Sequence, residues 1–234
     1  MELLKDIRAI DLFIYLRKHN TFIISDLHIG YEESLHDSGF FIPKQGYDEL
    51  IRRIEKALNG LNIDKIIING DILHSFSKIK LKERDKVKKI FNIIEKYGNI
   101  IILRGNHDKS LKFIFPKYDI LEEVILDDIL ITHGDVINKH SKDKNIRTII
   151  IGHEHPAISL RSNVRIEKYK CFLKGKFRLK NLIVMPSCNL FVEGTNMLKD
   201  KLLSPYLKDI SDFKAFIIED KIYDFGKLKK LESY

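Results

Sequence analysis

An α/β fold of two packed, mostly mixed β-sheets with helices outside them is what this sequence predicts, on three observations. The first half alternates short apolar runs with amphipathic stretches, and the second half is nearly all short apolar runs. Five of the runs in residues 21–151 lead directly into Asp, Asn or His. Alternating strand and helix call for a sheet covered by helices, and a tail of further strands calls for a second sheet packed on the first.

The elements follow in order. "DLFIYLRKHNTFIISD" reads as two strands joined by the polar turn Lys18–Asn20. "YDELIRRIEKALNGL" sets Leu50, Ile51, Ile54 and Leu58 at helical spacing, and Gly60 ends the helix. "KIIING" is a short buried strand. "KERDKVKKIFNIIEKYG" is a second amphipathic helix, with Val87, Ile90, Phe91 and Ile94 on its apolar face and Gly98 as its stop. "NIIILRG", "DILITHG" and "RTIIIGH" are further strands. From about residue 157 the strands are "AISLR", "YKCFLKGKFRLK", "LIVMPS", "FKAFIIED" and "KIYDFG". The second of these reads as a hairpin turning at Gly175. Its Lys168, Lys170, Lys174, Lys176, Arg178 and Lys180 alternate with mostly apolar residues, and Phe172 stands among the lysines. That pattern suits a basic face tracking a single nucleic-acid strand, or a solvated edge hairpin guarded by lysines.

Bulk composition bounds the rest. With 234 residues, 44% hydrophobic and 32% charged, the chain has material for a substantial core, and disorder is excluded. The opening "MELLKDIRAIDL" lacks the apolar core of a signal peptide, and no apolar run approaches the roughly 20 residues of a membrane span. Cys171 and Cys188 form neither a disulfide framework nor a CxxC pair. A soluble, cytoplasmic protein with no membrane partner is the expectation. The net charge of +8 fits an anionic partner such as nucleic acid. It equally fits an Ile/Lys/Glu-rich, thermophile-like composition.

Chemistry gathers at the strand ends. "TFIIS" leads to Asp26 and His28, "IIING" to Asp71 and then His74, and "IIILRG" to Asn106, His107 and Asp108. "ILIT" leads to His133, and "RTIIIG" to His153 and His155. The carboxyl edge of parallel strands is where α/β folds bind ligands. Any one of these residues alone reads as a hydrogen-bonded turn residue; five recurrences point to one shared site. In extended chain His153 and His155 would face one way and Glu154 the other. Carboxylate, amide and imidazole donors without thiolate suit manganese, iron or zinc. Seven candidate ligands are too many for one tetrahedral ion and suit two ions sharing a bridge, best supplied by Asp71.

The series D-x-H, G-D-x-x-H, G-N-H-D, H, G-H-x-H, here from Asp26 to His155, resembles the calcineurin-like metallophosphoesterases. The resemblance implies an αββα metallophosphoesterase sandwich, with 1–234 forming one domain and residues from about 180 onward completing the second sheet. It implies one metal held by Asp26, His28, Asp71 and His155, and another held by Asp71, Asn106, His133 and His153. The expected ions are two Mn²⁺, with Fe²⁺ or Zn²⁺ acceptable. By the same resemblance, hydroxide between the ions attacks phosphorus and His107 protonates the leaving group, with Asp108 orienting His107 or capping the segment after it. G-D-x-x-H followed by G-N-H-D resembles SbcD-like DNA-repair nucleases, in which the histidine matching His74 helps place the scissile strand. "DLHIGYEESL", "GTNMLKDKLLSPYLKD" and "KIYDFGKLKKL" are similar to archaeal SbcD-related and bacterial DNA ligase-associated phosphoesterases. The function implied is a metal-dependent phosphodiesterase, a nuclease acting on single-stranded DNA in repair. A phosphomonoesterase, or a phosphodiesterase for small molecules or cyclic nucleotides, would use the same metal pair. A protein-binding scaffold on the same fold is disfavoured because every ligand position is filled. Protein partners are not indicated. Arg104, at a strand end near the site, is a candidate phosphate contact.

Overall fold

A computed structural model describes residues 1–40, 45–74, 80–108, 111–161 and 165–231. The first sheet comprises β1 (Glu2–Leu4), β2 (Ile7–Ile10), β3 (Phe13–Leu16), β4 (Thr21–Ser25), β5 (Lys65–Asn69), β6 (Asn99–Leu103) and β7 (Ile120–Leu121), side by side in chain order. The first four pair antiparallel as a meander, and β4 through β7 run parallel. The parallel members are isoleucine runs, as expected of strands covered on both faces.

The second sheet holds β8 (Glu123–Leu126), β9 (Ile129–Thr132), β10 (Thr148–Ile151), β11 (Pro156–Arg161), β12 (Ile166–Phe177), β13 (Lys180–Val184) and β14 (Thr195–Asn196). β15 (Lys214–Ile218) and β16 (Ile222–Lys227) join it through β12. Its order is β14-β11-β12-β13-β10-β9-β8, with β9, β10 and β13 parallel. Side chains alternate across this sheet. Ile131, Ile150, Phe172, Ile183 and Phe216 enter the core shared with the first sheet. Leu130, Ile149, Ile151, Leu173, Leu182, Val184 and Ile217 face outward into a separate cluster.

Helices α1 (Tyr31–Asp37), α2 (Gly46–Leu58), α3 (Leu81–Ile94) and α4 (Leu111–Ile114) lie between strands of the first half. Leu50, Ile51, Ile54 and Leu58 of α2 and Val87, Ile90, Phe91 and Ile94 of α3 are all buried in the shared core, the faces their spacing predicts. On the outer face of the second sheet the cover is irregular chain: Met197, Tyr206, Leu207 and Phe213 close that cluster. The two-sheet architecture of the sequence prediction is the observed one. The N-terminal pair β1–β2 was missed, although Ile7 and Ala9 alternate with exposed Arg8 after a turn at Asp6.

The basic hairpin needs correcting. β12 runs unbroken through Gly175, and the chain reverses at Arg178, whose φ is +56°. Gly175 is glycine because the Phe213 ring lies where a side chain would start. β12 is no edge either, since it pairs with β11, β13 and β15 along its length. Most lysines of the predicted hairpin are committed locally. Lys170 donates to the carbonyls of Ser187 and Asn189, Lys174 to that of Leu3, Lys176 to Asn181 Oδ1, and Lys180 to the carbonyls of Asp143 and Ile146.

A Cβ at position 175 would lie 2.3 Å from Phe213 Cγ. Gly175→Val is therefore expected to destabilise the fold by about 1–3 kcal/mol, read as a lower urea midpoint. An unchanged midpoint would contradict the packing described.

Candidate metal centre

The parallel strands of both sheets end at one seam. β4 delivers Asp26 and His28, β5 delivers Asp71, and β6 delivers Asn106 and His107. β9 of the second sheet delivers His133, and β10 delivers His153 and His155. Five of these residues stand in the left-handed region, with φ of +56° at Asp26, +42° at His28, +49° at Asp71, +61° at His153 and +49° at His155. β4, β5 and β10 thus turn sharply as soon as they leave their sheets. This revises the reason for the divergence at "GHEH". Residues 153–155 are loop, so torsion and not strand alternation aims the side chains.

Two groups of ligand atoms result. Asp26, His28, Asp71 and His155 place one donor atom each within 4.8 Å of one another, and so do Asp71, His133 and His153. In the first group His155 Nε2 lies 3.1 Å from Asp26 Oδ1 and 3.2 Å from His28 Nε2, and His28 Nε2 lies 3.8 Å from Asp71 Oδ2. In the second, His133 Nε2 lies 3.3 Å from Asp71 Oδ2 and 3.2 Å from Asn106 Oδ1, which brings Asn106 to the same place. Asp71 belongs to both. Its Oδ1 accepts the His107 amide at 2.9 Å, so Oδ2 is the oxygen that faces both groups. Asp71 is thus the one carboxylate common to both groups, as its sequence position suggested.

Space for this packing comes from two glycines. A Cβ at Gly105 would lie 2.1 Å from Asp71 Oδ1, and one at Gly152 would lie 2.1 Å from Ser25 Oγ and 2.4 Å from Asp26 Oδ2. A polar brace holds the loops. Ser25 Oγ donates to Asp26 Oδ2 at 2.6 Å, Ser187 Oγ to the Asp26 carbonyl, and Asn189 Nδ2 to the carbonyls of Leu27 and His28. Lys170 in turn caps the carbonyls of Ser187 and Asn189, and burial lowers its ammonium to a pKa of about 8. Sequence reasoning missed these brace residues. No local signal marks them, since Lys170 stands among the other lysines of its strand.

His74, His107 and His28 form a third group beside the first two. The His74 and His107 rings stack with centroids 5.9 Å apart, and His107 Nδ1 meets the His74 carbonyl at 2.7 Å. Asp108 accepts from the amides of Gly105 and Ile72, tying the two loops together. Arg104 points its guanidinium to Glu122 at 2.9 Å, so the phosphate contact is replaced by a surface ion pair. Glu154 faces away from the ligands and accepts the amides of Leu203 and Ser204.

Electrostatics at the seam are those of buried opposite charges. Burial would raise the Asp26 carboxyl, but His155, His133 and His28 outweigh it and hold the group well below its ordinary value. Burial acts the same way on Asp71, and His133 outweighs it. Burial would lower His133, yet Asp71 and Asp26 raise it to about 10. Burial and then the nearby His155 lower His28 to about 3. Burial and then Asp71 raise Asp108 to about 7.

Buried carboxylates and imidazole nitrogens at a shared centre are a donor set for divalent cations. His28, His155 and the two carboxylates fit one ion, and Asp71, Asn106, His133 and His153 fit another. Residues 19–139 match the family model described as calcineurin-like phosphoesterase, which is more than half of the chain. The chain belongs to the calcineurin-like phosphoesterases. The family is dimetal-dependent and hydrolyses phosphoester bonds, and the clustered Asp and His side chains are the candidates for holding metal in this chain. Among solved structures, the chain is similar to a nuclease from Pseudomonas putida named MPE, with 18% identity over 92% of each chain and a TM-score of 0.66. That identity makes it a likeness of fold. It also aligns with AQ665 of Aquifex aeolicus, a protein of unknown function (20% identity, 58% of this chain and 78% of that one, TM-score 0.42). Chaetomium thermophilum Vps29 aligns at 11% identity over 85% of this chain and 81% of that one, with a TM-score of 0.37. No curated protein sequence matches the chain. No helix among the described residues is long and apolar enough to cross a membrane.

His133 carries a proton in the metal-free protein up to a pKa of about 10, whereas Asp26 and Asp71 are already ionised and His28 is already neutral at pH 7.5. Metal at His133 must displace that proton, so affinity is expected to rise with pH through the range 6.5–9. Calorimetry with Mn²⁺ at pH 7.5, in two buffers of different ionisation enthalpy, should register about one proton released from His133 per loaded chain. Equal heats in the two buffers would contradict this charge state.

Proposed function

We propose that the protein is a dimetal phosphodiesterase with nuclease activity on single-stranded DNA, its metal ligands being Asp26, His28, Asp71, Asn106, His133, His153 and His155. The observation that carries this reading is the third histidine group, in which His74 and His107 stand beside the ligand clusters without being needed by either. Family membership supplies the phosphoester chemistry, and this pair supplies the reason to favour a diester. When bound, the two ions would supply positive charge to activate water and to bind a phosphoryl oxygen.

The chain's own residues do the rest. Asp71 Oδ1 is occupied by the His107 amide, which fixes the carboxylate plane and leaves Oδ2 for the ions. With His107 Nδ1 donating to the His74 carbonyl, the His107 ring presents Nε2 toward Asp71, 3.9 Å from Oδ2. A proton on Nε2 is then placed for an oxygen leaving the phosphorus. His74 stacks on that ring and offers an imidazole to the esterified side of the phosphate, a group that a monoester lacks. Manganese is the ion we assign first, since carboxylate, amide and imidazole ligands suit it. The repair setting and cytoplasmic location rest on resemblance to SbcD-like and DNA ligase-associated phosphoesterases.

Hydrolysis of bis-p-nitrophenyl phosphate and p-nitrophenyl phosphate with Mn²⁺ tests the proposal. The diester should be preferred, and His74→Ala should abolish the preference. His107→Ala should lower kcat by about 10²–10⁴ while the bound metal content stays that of the wild type. A monoester preference indifferent to His74→Ala would make the protein a phosphatase of the same fold.

A further inference from the structure

A cavity of about 620 Å³ opens directly from the ligand cluster, within the roughly 300–1,000 Å³ usual for small-molecule sites. Its lining includes His155, Tyr31, Phe40, Phe191 and Lys168. The aromatic residues are built in at known positions. Tyr31 opens α1 and meets the His74 ring edge-on at 4.8 Å, so the groove continues to the third histidine group. The Phe191 ring rests against Gly46 at the start of α2, where a Cβ would lie 1.9 Å from the ring. The Phe191 amide donates to Asn189 Oδ1, the brace residue that also holds the His28 loop. Thr195 N donates to the His155 carbonyl, which ties the groove wall to the ligand itself. Phe40, by contrast, is 63% exposed at the groove's rim. An exposed aromatic beside a phosphoester site offers a stacking surface, and among the described residues its outer face stays open.

We infer that this groove takes the unpaired base of the nucleotide next to the scissile phosphate, with Phe40 and Phe191 as its stacking platforms and Lys168 on the backbone. The inference rests on the phosphodiesterase reading and names what that site selects. A phosphate held between the clusters has one ester arm directed past His155 into the groove. Every base has a π-face, so aromatic walls bind without sequence preference. A base paired and stacked within a duplex could not enter. Lys168 Nζ lies 3.7 Å from Glu193, which is 81% exposed, so the pair neutralises the acid at the rim and keeps the groove open to a polyanion. The other lysines of β12, Lys170, Lys174 and Lys176, are bonded to nearby protein oxygens, whereas Lys168 lines the groove.

The test compares a thymidine oligonucleotide with an oligomer of the same length whose sugars carry no bases, each with Mn²⁺. The wild type should cleave the base-bearing strand with a kcat/KM roughly tenfold above that of the abasic one. Phe40→Ala should bring the ratio near one, Phe40→Tyr should restore it, and Lys168→Ala should raise KM for both strands. Equal cleavage of the two strands by the wild type, or a ratio unmoved by Phe40→Ala, would overturn the base site while leaving phosphodiesterase activity standing. Failure to cleave either strand or bis-p-nitrophenyl phosphate would remove the phosphodiesterase reading and the base site with it.

Discussion

Two carboxylates, Asp26 and Asp71, are buried at the seam where the sheets meet, and the rest of the site exists because that burial has to be compensated. A carboxylate taken from water without a partner costs far more than a fold can spare. Here each receives backbone or hydroxyl donors on one side and imidazoles on the other. Asp26 takes Ser25 Oγ and the His153 amide, and Asp71 takes the His107 amide. In the metal-free protein a proton on His133 supplies part of the missing positive charge. Divalent ions would replace that proton and supply more.

Geometry follows from the same constraint. Donors converge from two sheets because the chain turns away at once after β4, β5 and β10, with Asp26, His28, Asp71, His153 and His155 in left-handed backbone. Such conformations cost about 1–3 kcal/mol each for ordinary residues, less for Asp and His than for branched ones. They are held because the loops are bonded from several directions. The Asp26 and His28 amides reach the carbonyls of Gly70 and Asp71, and Ser187 and Asn189 secure the outer side. Lys170 anchors that brace from the second sheet. A loop that also organises the groove wall, through Asn189 and Phe191, would couple the proposed base site to the candidate metal ligands.

Much of this was legible in the sequence, for a local reason. Each candidate ligand follows its own strand by one to four residues, so an apolar run ending in Asp, Asn or His announces it without knowledge of the fold. The apolar faces of α2 and α3 were readable in the same way. What stayed hidden was non-local. The reach from Asn189 to His28 spans 161 residues, and Lys170 looks in sequence like one more lysine of a basic face. Gly175 read as a turn because glycine's usual reason is torsion, whereas here its reason is the Phe213 ring, distant in sequence. Arg104 sits at the correct strand end, but Glu122 was not visible as its partner.

The central claim is that Asp71 joins two ligand sets into one dimetal site. Crystals grown with Mn²⁺ and examined at the manganese absorption edge test it most directly. Two anomalous peaks about 3.5–4 Å apart should appear on either side of Asp71 Oδ2. One should lie against Asp26, His28 and His155, the other against Asn106, His133 and His153. A single peak, or a pair not sharing Asp71, would contradict the account.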